Sequence, residues 1–118
     1  MTRVIEVAKF RVRPGRADAL REEHGVAFAA IQRAFPGLQR VRLIHLAGDV
    51  WADVADWADE DVARAVAREA MSMPAFAHWT RNIAADLSLD HGTVQSVVED
   101  GVRTHFGSAS ERIRAGSP

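Results

Sequence analysis

Cysteine and tyrosine are absent from the 118 residues, and Lys9 is the only lysine. Without thiols the chain carries no disulfide framework, thiolate zinc site, iron–sulfur cluster or cysteine nucleophile. No stretch approaches the roughly 18 apolar residues of a membrane helix, and Met1-Thr2-Arg3 leads directly into alternating residues with no apolar signal-peptide core. The expected setting is therefore cytoplasmic, with no membrane partner. A surplus of one charge is lacking too: 15 basic residues stand against 16 acidic ones, for a net charge of -1. Phosphate affinity rests on concentrated basic surface, so nucleic acid is not an expected partner. Metal-ligand spacings, a nucleophile elbow, a phosphate loop and a dinucleotide fingerprint are all missing. The expected complement of metals and cofactors is none.

What is present is one domain's worth of ordered pattern, 47% hydrophobic and 26% charged. From Arg3 to Arg13 the residues alternate and end at Pro14-Gly15, which predicts a first strand with Val4, Glu6, Ala8, Phe10 and Val12 on one face. Residues 17–34 switch to helical spacing, with Leu20, His24, Ala27, Phe28 and Ile31 in one stripe, and Pro36-Gly37 stops them. Leu38–Ala47 and Val50–Ala58 read as two strands joined through Gly48-Asp49, because glycine accepts the positive φ of a type II′ turn. Asp59-Glu60-Asp61 opens a second helix, predicted to run to about Met71, and supplies carboxylates to cap its amides. After the break at Ser72-Met73-Pro74, Phe76, Thr80, Ile83 and Leu87 predict a short helix to Leu87. Asp90-His91-Gly92 then reads as a turn before a last strand, Thr93–Val98.

The order β-α-β-β-α-β predicts an α+β, ferredoxin-like sandwich: a four-stranded antiparallel sheet with two helices on one face. It divides the chain into a domain at 1–98 and a polar tail at 99–118, mobile or docked on a neighbour. The uncovered sheet face is expected to carry Phe10, Val12 and Trp51 or Trp57, more apolar area than a monomer leaves wet. A homodimer through that face would cover it, forming a dimeric α/β barrel with a ligand cavity between the sheets.

The chain resembles the antibiotic biosynthesis monooxygenase-like family of the dimeric α/β barrel superfamily. The likeness rests on F-x-V-x-P-G at Phe10–Gly15, F-P-G at Phe35–Gly37, a strand ending in Trp57 before an acidic helix start, and S-x-P-x-F at Ser72–Phe76. It spans roughly residues 3–98. The family contains cofactor-free oxygenases, heme-degrading enzymes and proteins of other roles. In its quinone-forming oxygenases the matching tryptophan lines the cavity, with an asparagine four residues earlier; here that position is Asp53. A carboxylate accepts a proton where an amide would donate one. Of the heme-degrading pattern, the strand-one asparagine is Ala8 here, and His78 falls about two residues from the helix histidine.

Asp53, Trp57 and His78 are the expected catalytic residues, and Phe10, Trp51, Arg42, His45 and Trp79 the expected substrate-binding ones. Spacing by two puts Trp51, Asp53, Ala55 and Trp57 on one strand face, where indoles stack flat aromatics and an apolar wall raises a carboxyl pKa. The competing reading has the tryptophans filling an interface and Asp53 pairing with Arg40 or Arg42, with Glu6 as a salt-bridge partner. His24 is expected in the core or at its rim. The resulting expectation is a dimer that binds a small apolar or aromatic ligand and oxidises a polyphenolic substrate without a cofactor. The alternatives are a non-catalytic metabolite-binding or stress-associated dimer, and a heme-binding or heme-degrading protein.

Overall fold

Strand-forming alternation places β1 (Val4–Val12) at the centre of a sheet, between β3 (Val50–Trp57) and β4 (Ile83–Thr93), with β2 (Leu38–Ala47) at the edge beyond β3. These positions come from a computed structural model that describes residues 3–105. The strand order is β2-β3-β1-β4 and every pairing is antiparallel, the ferredoxin-like arrangement that the element order implies. Register pairs Ala8 with Asp53 and Phe10 with Trp51. Gly48 takes the positive φ of 58° required by the β2–β3 turn.

Helix α1 (Ala17–Ala34) buries Leu20, His24, Ala27 and Ile31. Helix α2 (Glu60–Glu69) is capped by Asp59, whose side chain accepts from the Val62 amide at 2.9 Å. A 3₁₀ turn at Ala70–Ser72 leads into α3 (Pro74–Thr80), which starts at proline. Among the described residues no helix is long and apolar enough to cross a membrane.

Both helical layers lie against the sheet face that carries the aromatic residues, which corrects the expected orientation. Trp57 packs with Ile31, Ala63 and Val66, and Phe10 and Trp51 join Leu20, Ala27 and Trp79 in a neighbouring cluster. Alternation separates two faces without saying which one meets the helices. Here the larger rings take the covered side, where burying them stabilises most. The opposite face instead presents Ile5, Val7, Val54, Ile44 and Leu46 with Arg40, Arg42 and Asp56.

The segment after α3 also differs from expectation. The helix stops at Thr80, residues Ile83–Thr93 form a strand, and Asp90-His91-Gly92 lies within it. Register shifts opposite Lys9/Phe10 and Arg11/Val12 insert extra residues into β4, so Ile83, Asp86 and Leu89 face Val12, Phe10 and Ala8 in turn. The expected last strand at Thr93–Val98 is replaced by a hairpin of β5 (Ser96–Glu99) and β6 (Val102–His105), turned by Asp100 and Gly101 at φ 52° and 78°. That hairpin occupies the start of the expected 99–118 tail, and residues 106–118 lie outside the described residues.

The turn from α3 into β4 is built on Asn82, which is fully buried. Its amide nitrogen donates to Glu23 Oε2 and to the Trp79 carbonyl, both at 2.9 Å, and its oxygen accepts from Arg16 Nε at 2.9 Å. The Asn82 hydrogen bond holds the Glu23 carboxyl below its ordinary value, with His78 and Arg16 adding to the effect. Replacing Asn82 with alanine leaves these partners unmet, and the expected loss is about 1–3 kcal/mol of unfolding free energy in urea titrations.

Candidate functional site

Between the covered sheet face and the helices lies a partly open cavity of about 410 Å³. Its floor is the sheet, with Glu6, Ala8 and Phe10 from β1, Asp53, Ala55 and Trp57 from β3, and Ile83, Asp86 and Leu89 from β4. Phe28 and Ile31 of α1, Ala63 and Val66 of α2, and Phe76, Trp79 and Thr80 of α3 form the wall and roof. Phe10, Asp53 and Trp57, expected to line a cavity between two sheets, instead line this one on the helix side of a single protomer. Trp57 and Asp53 line it because residues spaced by four on a strand share a face.

Asp53 is 8% exposed, and its Oδ1 accepts from His24 Nε2 at 2.8 Å. A carboxylate only accepts, which assigns that imidazole nitrogen as the donor. The other oxygen, Oδ2, makes no hydrogen bond among the described residues. Burial raises the Asp53 carboxyl above its ordinary pKa, and the hydrogen bond and charge of His24 oppose the rise. His24 itself is held behind the cavity wall, 4.6 Å from the Phe28 ring and 5.5 Å from the Trp79 ring. The competing expectation for Asp53 does not hold, since Arg40 and Arg42 instead face Asp56, at 3.1 and 3.9 Å on the opposite sheet face.

Trp57 is 3% exposed, and its indole Nε1 has no hydrogen-bond partner among the described residues. A buried N–H without an acceptor costs on the order of 1–3 kcal/mol, which an oxygen on a bound molecule would relieve. Trp79, in contrast, donates to the Leu20 carbonyl at 3.1 Å and meets Phe10, Phe28 and Phe76 at ring separations of 5.8, 5.2 and 5.7 Å. It anchors the wall.

Four of the sequence candidates stand away from this cavity. Trp51 stacks on His45 at 4.4 Å beneath Arg21, and His45 Nε2 meets the Gly48 carbonyl at 2.8 Å, so both belong to the β2–β3 turn. Arg42 lies on the uncovered sheet face beside Asp56. His78 is exposed and reaches Glu23 at 3.2 Å, outside the cavity wall. Phe10, Asp53, Trp57 and Trp79 are the candidates that the fold brings together. His24 as the partner of Asp53, and Asp86 at the cavity, were not among the sequence candidates. The inward stripe of α1 carried a signal for His24, but only the tertiary packing pairs it with a residue 29 positions away. Among the described residues no three metal-ligating side chains converge.

The fold is shared by a candidate antibiotic biosynthesis monooxygenase of Bordetella bronchiseptica, at a TM-score of 0.62 and 20% identity over 78% of this chain and 96% of that one. A second such candidate, from Caulobacter crescentus, aligns at a TM-score of 0.57 and 15% identity over 81% of this chain and 91% of that one. A single-residue variant of SnoaB, a cofactor-independent oxygenase of Streptomyces nogalater, aligns at 0.51 and 24% identity over 78% and 90%. No family model matches the sequence, and no curated protein matches it significantly.

Proposed function

We propose that the chain is a cofactor-independent oxygenase that binds a flat polyphenolic molecule in the helix-side cavity and converts an activated ring CH₂ to a carbonyl. The observation that carries this reading is Asp53: a buried carboxyl on an aromatic cavity floor, held on one oxygen by His24 and free on the other among the described residues. The similarity in fold to SnoaB supports it.

In this mechanism the substrate ring stacks among Trp57, Phe28 and Phe76, and Asp53 Oδ2 takes a proton from its acidic C–H or O–H. The raised pKa makes Asp53 a stronger base than an exposed aspartate, and the His24 hydrogen bond fixes its orientation. Negative charge that develops on a ring oxygen meets the buried, unpartnered Trp57 N–H. The resulting carbanion transfers electrons to dioxygen, a C–O bond forms, and loss of water leaves the ketone. Overall, one CH₂ and one O₂ give one C=O and one H₂O, with carbon oxidised by four electrons and oxygen reduced by four. Dioxygen is the only co-reactant required. The test is dioxygen uptake with an anthrone as substrate: uptake in the wild type at one equivalent per anthrone supports the reading, and no uptake above the spontaneous rate removes it.

A second copy of the chain is the proposed cover for the opposite sheet face, where Ile44 and Leu46 remain 36% and 48% exposed beside Val7 and Val54. Placing a charge there by Val54→Asp is expected to shift the mass measured by light scattering from dimer to monomer. A monomeric wild type would contradict the proposal.

A further inference from the structure

Charge around the cavity is one-sided. Glu6, Asp53 and Asp86 line it, and no lysine, arginine or histidine stands among the described lining residues. Asp53 and Asp86 lie on the two strands that flank β1, about two strand spacings or 10 Å apart, facing Ala8 and Phe10. Two of the three carboxyls are already committed. Glu6 accepts from His91 at 2.8 Å and Asp53 from His24 at 2.8 Å. Asp86 has no ion pair or hydrogen bond among the described residues and stays exposed.

Around these carboxyls the wall is aromatic: Phe10, Phe28, Phe76, Trp57 and Trp79 all contribute. Indole and phenyl faces attract a cation by their ring quadrupoles, and an uncommitted carboxylate adds a direct ionic partner. Independently of the carboxyls, the buried and unpartnered Trp57 N–H calls for an acceptor oxygen on the same molecule. The cavity volume of about 410 Å³ suits a small polycyclic molecule. An anion fits this environment poorly, because it would face the unpaired Asp86 and a lining without lysine, arginine or histidine.

We propose that the cavity selects an oxygen-bearing aromatic molecule that also carries a protonated amine, with Asp86 as the ionic partner of that amine, and that it discriminates against carboxylate-bearing analogues. This rests on the reading of the helix-side cavity as an aromatic binding site and adds the charge of the ligand to it. A cationic substituent also suits the proposed chemistry, since it offsets the anion formed when the ring loses its proton.

The test compares three probes that share one ring system and its carbonyl oxygens: 2-(aminomethyl)anthraquinone, 2-(hydroxymethyl)anthraquinone and anthraquinone-2-carboxylate, titrated against the full chain by tryptophan fluorescence. The amine is expected to bind tighter than the alcohol, and the alcohol tighter than the carboxylate, by at least about fivefold at each step at low ionic strength, with the gaps narrowing as salt is added. In Asp86→Asn the ratio of amine to alcohol affinity is expected to fall to about one. Equal binding of all three, a preference for the carboxylate, or an unchanged ratio in Asp86→Asn would overturn the charge selection and leave the aromatic cavity standing. Binding of none of the three would overturn both.

Discussion

Asp53→Asn is expected to lower anthrone turnover by roughly 10²–10⁴-fold, the usual contribution of a positioned general base, while leaving the fold intact. The amide keeps the volume and can still meet His24, but it cannot take a proton at Oδ2. In the wild type the acid limb of the pH–rate profile is expected above the ordinary carboxylate range, because burial raises the Asp53 pKa. The residual activity of Asp53→Asn should lack that limb. A carboxyl raised by burial favours the folded state when protonated, so this contribution is present at low pH and is lost as pH rises from the ordinary carboxyl pKa through the raised one. Urea titrations across that window are expected to show a flatter profile in Asp53→Asn than in the wild type. A variant with wild-type turnover would show that the proton goes elsewhere.

Trp79→Ala carries the largest expected effect on stability. The indole is 2% exposed, it packs against Phe10, Phe28 and Phe76, and its N–H satisfies the Leu20 carbonyl inside α1. Truncation removes the ring contacts, opens a void and takes away a second donor to the Leu20 carbonyl, for an expected loss of about 3–5 kcal/mol. Chemical denaturation measures it directly. Trp79→Phe should recover much of the packing and lose the hydrogen bond, so its cost is expected to fall well below that of alanine. Equal costs for the two variants would mean that the hydrogen bond, and not the ring cluster, dominates.

The first half of the fold was legible because its signals are local. Alternation in β1, the three-and-four spacing of α1 and the Gly48-Asp49 turn each lie within one short window, and the structure has these elements where the pattern puts them. The region after Pro74 departs from its expected helix for a physical reason. Phe76, Thr80, Ile83 and Leu87 keep helical spacings of four, three and four, but Ile83 and Leu87 lie in β4, where two bulges set the cavity-facing residues Ile83, Asp86 and Leu89 three apart and break the strand period of two. The plain alternation of Ile83, Ala85, Leu87 and Leu89 with Ala84, Asp86, Ser88 and Asp90 was the competing strand signal.

For the site, the shared face of Asp53 and Trp57 follows from strand periodicity alone. What surrounds that face does not. A strand with apolar residues on both sides leaves its orientation open, and here the helices cover the aromatic face that the pattern alone leaves free for an interface. Likewise, the pairing of His24 with Asp53 and the exposure of His78 depend on how α1 and α3 lie across the sheet. Helical and strand periods carry no information about that crossing.

The most direct test of the central claim is dioxygen uptake with an anthrone by Ala8→Phe, a variant that fills the cavity from its floor between Asp53 and Leu89. With a native circular dichroism spectrum, the filled variant is expected to consume dioxygen no faster than the spontaneous reaction, while the wild type consumes one equivalent per anthrone. Wild-type uptake in the filled variant would contradict the placement of the chemistry in this cavity.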